Sequence, residues 1–361
     1  MLNFGVLDSA RFTIFAKNRG NEKNSMKNKK ILVTGGAGYI GSHVVRRLGL
    51  ANESIVTLDN LSTGFEAAVT AGEFVLGDTG DAALLDTVFA EHDIDTIMHF
   101  AAHTVVPESV SNPLKYYANN TASSRTLLEA ALTHGVKNVV FSSTAAVYGI
   151  PEGGKASEET ATQPINPYGT SKLMTEWMLR DLCAAGGPNY VALRYFNVAG
   201  CEPSGTIGQS TPEATLLVKV ACEAATGRRP GVSIYGTDYP TPDGTGLRDY
   251  IHVEDLAMAH LDALTYLRAG GESSVLNCGY GHGYSVREVL AAVENANGKS
   301  LKIAEEPRRA GDPPELIAVA SRVREVLGWT PQYDDLDMIV RTALAWERKI
   351  AAQDPSAYWA A

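Results

Sequence analysis

The sequence predicts an α/β fold, a doubly wound parallel sheet followed by a smaller C-terminal α/β unit. Three observations carry this. From Lys30 to about Tyr195, short β-rich runs alternate with helical patterns, as repeated βαβ units require. The apolar run Ile31-Leu32-Val33 opens directly into a glycine-rich turn, TGGAGYIG, from Thr34 to Gly41. A second strand-like run, Ser54 to Leu58, ends in Asp59.

In order, strands are expected at 30–34, 54–58, 73–76, 95–100, 137–142 and 190–195, with helices between them, the first starting near Tyr39. After Asn197 the alternation loosens. Gly/Pro-rich loops at 200–213 and 236–247 adjoin helical segments at about 214–227, 254–269, 285–297 and 335–350. The expected division is a flexible extension over 1–29, a nucleotide-binding unit over 30–196, a second-ligand unit over 197–350 with some segments returning to the first, and a tail over 351–361. Such a cap would cover the carboxyl ends of the strands, where open sheets bind ligands.

The turn itself says what the first ligand is. Gly35, Gly38 and Gly41 give G-x-x-G-x-x-G between strand and helix, which permits a tight turn, close backbone approach to phosphates, and close packing of helix on strand. The helix that follows aims its positive end at an anion. Asp59, 18 residues beyond Gly41, is placed to accept from ribose hydroxyls and would repel a 2′-phosphate, and Asn60 to Glu66 contains no Arg or Lys. The expected cofactor is NAD rather than NADP, on a Rossmann-type sheet.

Composition bounds the rest. At 361 residues, 45% hydrophobic and 20% charged, the chain has ordinary globular composition and enough length for a full core. Its net charge of −10 offers no basic face for nucleic acid or an anionic membrane, and no apolar run is long enough to span a bilayer. Four cysteines without a CxxC pair read as free thiols in a reducing, cytoplasmic setting, and neither they nor the eight histidines form a metal pattern. Met26, just before the first strand, is a candidate natural start, which would leave residues 1–25 as an extension.

The chemistry lies further on. The strand at 137–142 runs into FSSTAAVYG, and 24 residues beyond Thr144 come Tyr168-Gly-Thr-Ser-Lys172 at the head of a helix. Tyr168 and Lys172, four apart, share one helical face. A phenol has a pKa of about 10, so acting as a base at neutrality means favouring phenolate by about 4 kcal/mol. A neighbouring ammonium and a positively charged nicotinamide supply a field of the right sign, and Thr144 can hydrogen-bond the reacting oxygen.

At this point the chain resembles the extended short-chain dehydrogenase/reductase family, and within it the sugar-nucleotide 4-epimerases. The resemblance runs from about Lys30 to Trp346 through TGGAGYIGSH, LDNLSTG, HFAA, PLKYYANN, FSSTAAVYG, PYGTSKLMTE, LRYFNVAG, YPTPDGTGLRDYIHVEDLA and RRAGDPPELIA. It implies interconversion of UDP-galactose and UDP-glucose through a transient 4-keto sugar and NADH. Tyr168 would be the acid/base, Lys172 would lower its pKa and hold the nicotinamide ribose, and Thr144 would orient the hydroxyl. Related dehydratases carry acids after the catalytic Thr, where this chain has Ala145 and Ala146. Gly35, Gly38, Tyr39, Ile40, Gly41, Asp59, Asn60, Asp78, Thr79, Phe100, Ala101, Asn119, Ser142 and Phe196 would line the cofactor. Asn197, Leu217, Tyr235, Arg248, Arg309 and Asp312 would hold the UDP-sugar, the arginines at the diphosphate.

The chain departs from the family in three places. Many members have Lys where Thr104 stands, and His103 beside it is either a partial substitute or structural. Leu216 replaces a polar residue, and Leu316 replaces a bulky Tyr found in some relatives, which opens the question of N-acetyl sugars. The alternatives are therefore a UDP-N-acetylglucosamine or UDP-uronate 4-epimerase, or, from another class, a non-catalytic NAD-binding relative, which would be expected to break a glycine or YxxxK motif. Helices near 111–133 and 169–185 carry apolar stripes, including Leu173, Trp177 and Met178, of a kind that more often marks core; the resemblance implies that the corresponding helices pair across a homodimer as a four-helix bundle.

Overall fold

The structure, a computed structural model, describes residues 29–309 and 312–352. The expected extension, apart from Lys29, and all but the first residues of the expected tail lie outside the described residues. The first half runs β1 (Lys30–Thr34), α1 (Tyr39–Leu50), β2 (Ser54–Asp59), β3 (Glu73–Leu76), α2 (Ala82–Glu91), β4 (Ile94–His99), α3 (Val106–Ser111), α4 (Pro113–Tyr116), a π-helical turn (Tyr117–Ala122), α5 (Ser123–Thr133), β5 (Asn138–Thr144), β6 (Lys155–Ala156), α6 (Pro167–Ala184) and β7 (Asn189–Tyr195). The second half runs β8 (Asn197–Ala199), α7 (Leu217–Ala225), β9 (Val232–Tyr235), β10 (Leu247–Arg248), β11 (Tyr250–His252), α8 (Val253–Arg268), β12 (Ser274–Cys278), β13 (Tyr284–Ser285), α9 (Val286–Asn297), β14 (Ile303–Glu306), β15 (Glu315–Ala318), α10 (Ser321–Leu327) and α11 (Leu336–Ala352).

The main sheet has seven strands in the order β12-β7-β5-β4-β1-β2-β3, all parallel. Its strands are apolar on both faces, as a sheet covered by helices on each side demands. The period of two is visible in single strands: Ile31 and Val33 enter one core with α1 and α8, while Leu32 enters the other with α2, α5 and α6. Val191 and Leu193 likewise face one core, Tyr190 and Ala192 the other.

Two boundaries moved in ways that matter. The strand expected at 137–142 extends to Thr144, because Thr144 still pairs with Tyr195. The seventh strand, Ser274–Cys278, was not among the expected strands of this sheet; it adds to β7, with Val275 beside Ala192. Helix α8 also returns, packing on the same face as α1. The remaining strands form a four-stranded sheet, β13-β10-β15-β6, and two pairs, β11-β8 and β14-β9.

Candidate active site

The chain builds β1, β2 and β3 to one side of β1 and then places β4 on the other, so the strand order reverses between β1 and β4. A crevice at the carboxyl ends of the strands forms at such a point. Phe100 and Ala101, just past β4, both donate their N–H groups to Thr34 O, at 2.9 and 3.1 Å. Gly35 has a φ of +72°, and a Cβ there would lie 2.5 Å from Ala101 N; at Gly41 it would lie 2.2 Å from Gly35 O. The fold itself demands both glycines. Gly38 differs: its φ is −76°, and an added Cβ would meet within 4 Å only Gly35 O, at 3.3 Å. Nothing among the described residues fills the space over Gly38. Helix α1 starts there with no side-chain cap, so its first N–H groups, at Tyr39 and Ile40, present a positive end to that space. Tyr39 is otherwise anchored by its hydroxyl, which donates to Gly200 O at 2.6 Å.

Asp59 closes β2 with its carboxylate turned to the glycine turn. Its Oδ2 accepts from Ala37 N at 2.9 Å and its Oδ1 from Leu61 N at 2.8 Å. Burial pushes its pKa up and the two N–H bonds pull it back. A carboxylate has about four lone-pair positions, so bracing the turn leaves capacity for hydroxyls. Asn60 donates to Asp78 Oδ2 at 2.8 Å, and Asp78 Oδ1 accepts from Gly80 N at 2.7 Å, which joins two neighbouring strand ends. Thr79 is buried beside them.

Asn119 lies in the π-helical turn, a distortion common at functional sites. Its amide donates to Asn120 Oδ1 at 2.9 Å. Asn120, buried, accepts from His103 N at 2.8 Å and donates to His103 O at 2.9 Å and Ser171 Oγ at 3.0 Å. It thereby ties the loop after β4 to α6. Burial, with a smaller contribution from nearby Lys115, draws the His103 pKa below its usual value.

Two close approaches set the reactive residues. Asn166 caps α6, accepting from Gly169 N at 2.9 Å, with Pro167 at the first helical position. A Cβ on Gly169 would lie 2.5 Å from Ala146 O, so the helix start sits directly on the turn that follows β5. Tyr168 thereby comes into hydrogen-bonding contact with the Thr144 side chain. One helical turn on, Lys172 Nζ donates to Ser142 O at 2.8 Å and lies 4.9 Å from the Phe141 ring centroid. Ser142 turns its hydroxyl to Tyr195, so toward this site it offers its carbonyl, through Lys172.

In the ligand-free chain, burial pushes the Tyr168 phenol up and the Thr144 side chain draws it back. Burial also lowers Lys172 to about 7, against an opposing pull from Glu176. Removing a phenol and an ammonium from water disfavours the charged form of each. The positively charged nicotinamide expected from the sequence would add a field that favours phenolate. Together with the open face of Gly38 and the uncapped α1, the residues present fit NAD.

On the other side, Tyr235 ends β9 and carries the Arg309 guanidinium 4.4 Å from its ring centroid, while Arg309 Nε donates to Asp312 Oδ2 at 3.0 Å. Arg248, half-buried on β10, feels the charges of both Asp312 and Arg309. Four of the six expected sugar-nucleotide residues thus cluster. Asn197 joins them through the backbone, its N–H donating to Asp249 O at 2.9 Å. Leu217 opens α7 and packs partly on the main core, whereas Leu216 is exposed. Leu316 is buried with Val147, Tyr148 and Leu173, against Phe196. Leu173, expected at an interface, is core; Trp177 is exposed, and Met178 packs partly against the second core.

The sequence reading missed the buried pair Arg194–Glu176, bonded at 2.9 Å through Nε and 2.6 Å through Nη2. Glu176 Oε1 also accepts from Ser143 Oγ at 2.5 Å, and Arg194 Nη1 donates to Tyr148 OH at 3.0 Å. The signal was a charge in each of two motifs, PYGTSKLMTE and LRYFNVAG, at positions that face the core.

Known proteins share this arrangement. The chain is 58% identical over 322 residues to a UDP-glucose 4-epimerase of Azospirillum brasilense, covering 89% of this chain and 92% of that one. Among solved structures, a UDP-glucose 4-epimerase from Brucella ovis in complex with NAD superposes with a TM-score of 0.86 at 44% identity, covering 89% and 98% of the two chains. A UDP-Glc/GlcNAc 4-epimerase from Campylobacter jejuni does so with a TM-score of 0.78 at 48% identity, covering 89% and 99%. With residues 31–279 matching its pattern as well, the glycine crevice and its Thr-Tyr-Lys group place this chain in the NAD dependent epimerase/dehydratase family.

Proposed function

We propose that this chain is an NAD-dependent epimerase that interconverts UDP-galactose and UDP-glucose by oxidation and re-reduction at C4. The observation that carries the reading is the Thr144–Tyr168 contact, with Lys172 one turn away, between a dinucleotide crevice and an arginine cluster. Ala145 and Ala146 supply no acid for elimination, which argues against a dehydratase. The relatives' names support the substrate.

Residues 30–196 would hold most of the cofactor. Gly35, Gly38 and Gly41 would admit the pyrophosphate, with Tyr39 and Ile40 donating N–H groups; Asp59 and Asn60 would take the adenosine ribose; Asp78, Thr79, Phe100, Ala101, Asn119, Ser142 and Phe196 would line the remainder. When bound, NAD supplies a hydride acceptor at C4 and then a donor. Tyr168 takes the C4 hydroxyl proton and later returns it to the keto oxygen. Thr144 holds that oxygen in line, and Lys172, one helical turn from Tyr168, would hold the nicotinamide ribose and favour the phenolate. Residues 197–350 would supply the UDP-sugar contacts, with Arg248 and Arg309 on the diphosphate, Asp312 on the uridine ribose, Tyr235 in the nucleotide pocket, and Asn197 and Leu217 along the sugar diphosphate.

The second reading is a UDP-N-acetylglucosamine 4-epimerase, which Leu316 favours by keeping a bulky phenol out of that pocket. The test is conversion of UDP-galactose by the purified protein without added NAD, beside UDP-N-acetylgalactosamine. Conversion of neither, even with NAD supplied, would sink both readings.

Because a Cβ at Gly38 has room in the chain but not beside a phosphate, Gly38→Ala is expected to leave the thermal unfolding midpoint of the ligand-free protein unchanged within about 2 °C. The NAD released on denaturing the purified protein should fall at least about tenfold. Loss of folding with retained NAD would contradict this assignment.

The protein would act as a homodimer. No helix among the described residues is long and apolar enough to cross a membrane, yet Val110, Leu114 and Trp177 are exposed on the α3–α6 side, next to a 580 Å³ groove lined by Tyr117, Met174 and Met178. Sedimentation at twice the chain mass is the expected result.

A further inference from the structure

Tyr239 lies in the segment YPTPDGTGLRD, where only Arg248 has so far been given a role. Its ring is buried at 7% exposure, beneath the Arg308 guanidinium at 4.3 Å and against Gly236, where an added Cβ would lie 2.6 Å from the ring. Arg308 in turn is pinned by Asp238, its Nε donating to Oδ1 at 2.6 Å. The backbone of Tyr239 is satisfied, donating to Gly244 O at 2.9 Å and accepting from Thr241 N at 2.8 Å. A phenylalanine would make all of these contacts.

The hydroxyl is not used by the fold. It is buried and has no hydrogen-bond partner among the described residues, a state that native proteins allow to few polar groups. The charged groups around it are Arg248, Arg308, Arg309 and Asp312. Guanidinium groups donate and cannot accept, and Asp312, whose Oδ2 accepts from Arg309 Nε, makes no hydrogen bond to the phenol. The hydroxyl therefore sits among three arginines and one carboxylate with no acceptor bonded to it among the described residues. An acceptor from outside that suits this place is an anion with several oxygens, able to receive from arginines and a phenol together.

We propose that the Tyr239 hydroxyl is a substrate-binding group that donates to a diphosphate oxygen of the nucleotide sugar, between Arg248 and Arg309. This rests on the UDP-sugar reading above. It adds a neutral donor to a charged site, one that grips the diphosphate without a further cation.

The test is Tyr239→Phe on the purified, NAD-containing protein, read by calorimetric titration with UDP, by KM and kcat for UDP-galactose, and by the thermal unfolding midpoint. UDP affinity is expected to fall about tenfold and KM to rise to match, with kcat within about twofold and the unfolding midpoint unchanged or higher. Unchanged UDP affinity overturns the proposal. So does a variant that unfolds early or fails to fold, because the hydroxyl then has a structural partner. If the unaltered protein itself binds no UDP, the functional reading falls and takes this one with it; if it binds UDP and the variant binds equally well, only this inference falls.

Discussion

Tyr168→Phe is expected to lower kcat for UDP-galactose by about 10²–10⁴-fold while leaving UDP affinity and NAD content in place. The change removes one oxygen from a side chain whose ring is buried among Tyr116 and the start of α6, so packing is kept and the proton-transfer group is lost. The pH profile adds a second check. In the ligand-free chain the phenol lies above its ordinary value and Lys172 near 7. Binding a cationic ring should draw the phenol down, so activity of the intact enzyme should rise with pH as the phenol loses its proton, a step that the Phe variant lacks, whereas the Lys172 titration is common to both. Stopped-flow turnover across pH 5 to 9, with UDP titrations alongside, measures both. A variant with near-normal kcat would remove Tyr168 from the mechanism.

Arg194→Met is expected to be the most destabilising single change among the residues discussed, by about 3–5 kcal/mol, lowering the unfolding midpoint by roughly 5–10 °C. The substitution keeps volume but strands the Glu176 carboxylate, which is 4% exposed, and leaves Tyr148 OH without one of its partners. The carboxylate would then be held by Ser143 alone. A paired Arg194→Met, Glu176→Leu variant should recover part of the loss, since a volume-matched apolar pair removes the isolated charge. Calorimetric unfolding of the two single variants and the double reads the coupling. Additive losses would show that the two side chains act independently. Ser143 and Thr144 are adjacent on β5, so the single variants should also loosen the Thr144–Tyr168 contact and lower kcat.

The cradle was legible because it is local. Strand, turn and helix follow one another in the chain, and the glycines at 35 and 41 announce contacts that any side chain would block. Asp59 was placed correctly at a strand end, but its hold on the glycine turn through Ala37 N depends on how β1 and β2 lie side by side. The same limit explains β12. Ser274 to Cys278 is a short, buried run whose membership in the main sheet is set by pairing with β7, across 79 residues of sequence. The π-helical turn hides for a different reason: its apolar spacing is close to that of an α-helix, and one extra residue per turn leaves no mark in composition. Spacing gives the proximity of Tyr168 and Lys172 but says nothing of how far both are removed from water, which sets the direction of their shifts.

The late arrival of β12 also orders the birth of this protein. On the ribosome, the first six strands of the main sheet emerge by Tyr195, but the strand that covers β7 does not begin until Ser274. At about 5–20 residues per second, the nascent sheet waits about 4–16 s with β7 as an open edge, its backbone N–H and C=O groups free to pair with another chain. A chain halted in that interval would leave β7 uncovered, which makes synthesis a stage at which this sheet is open to pairing with another chain.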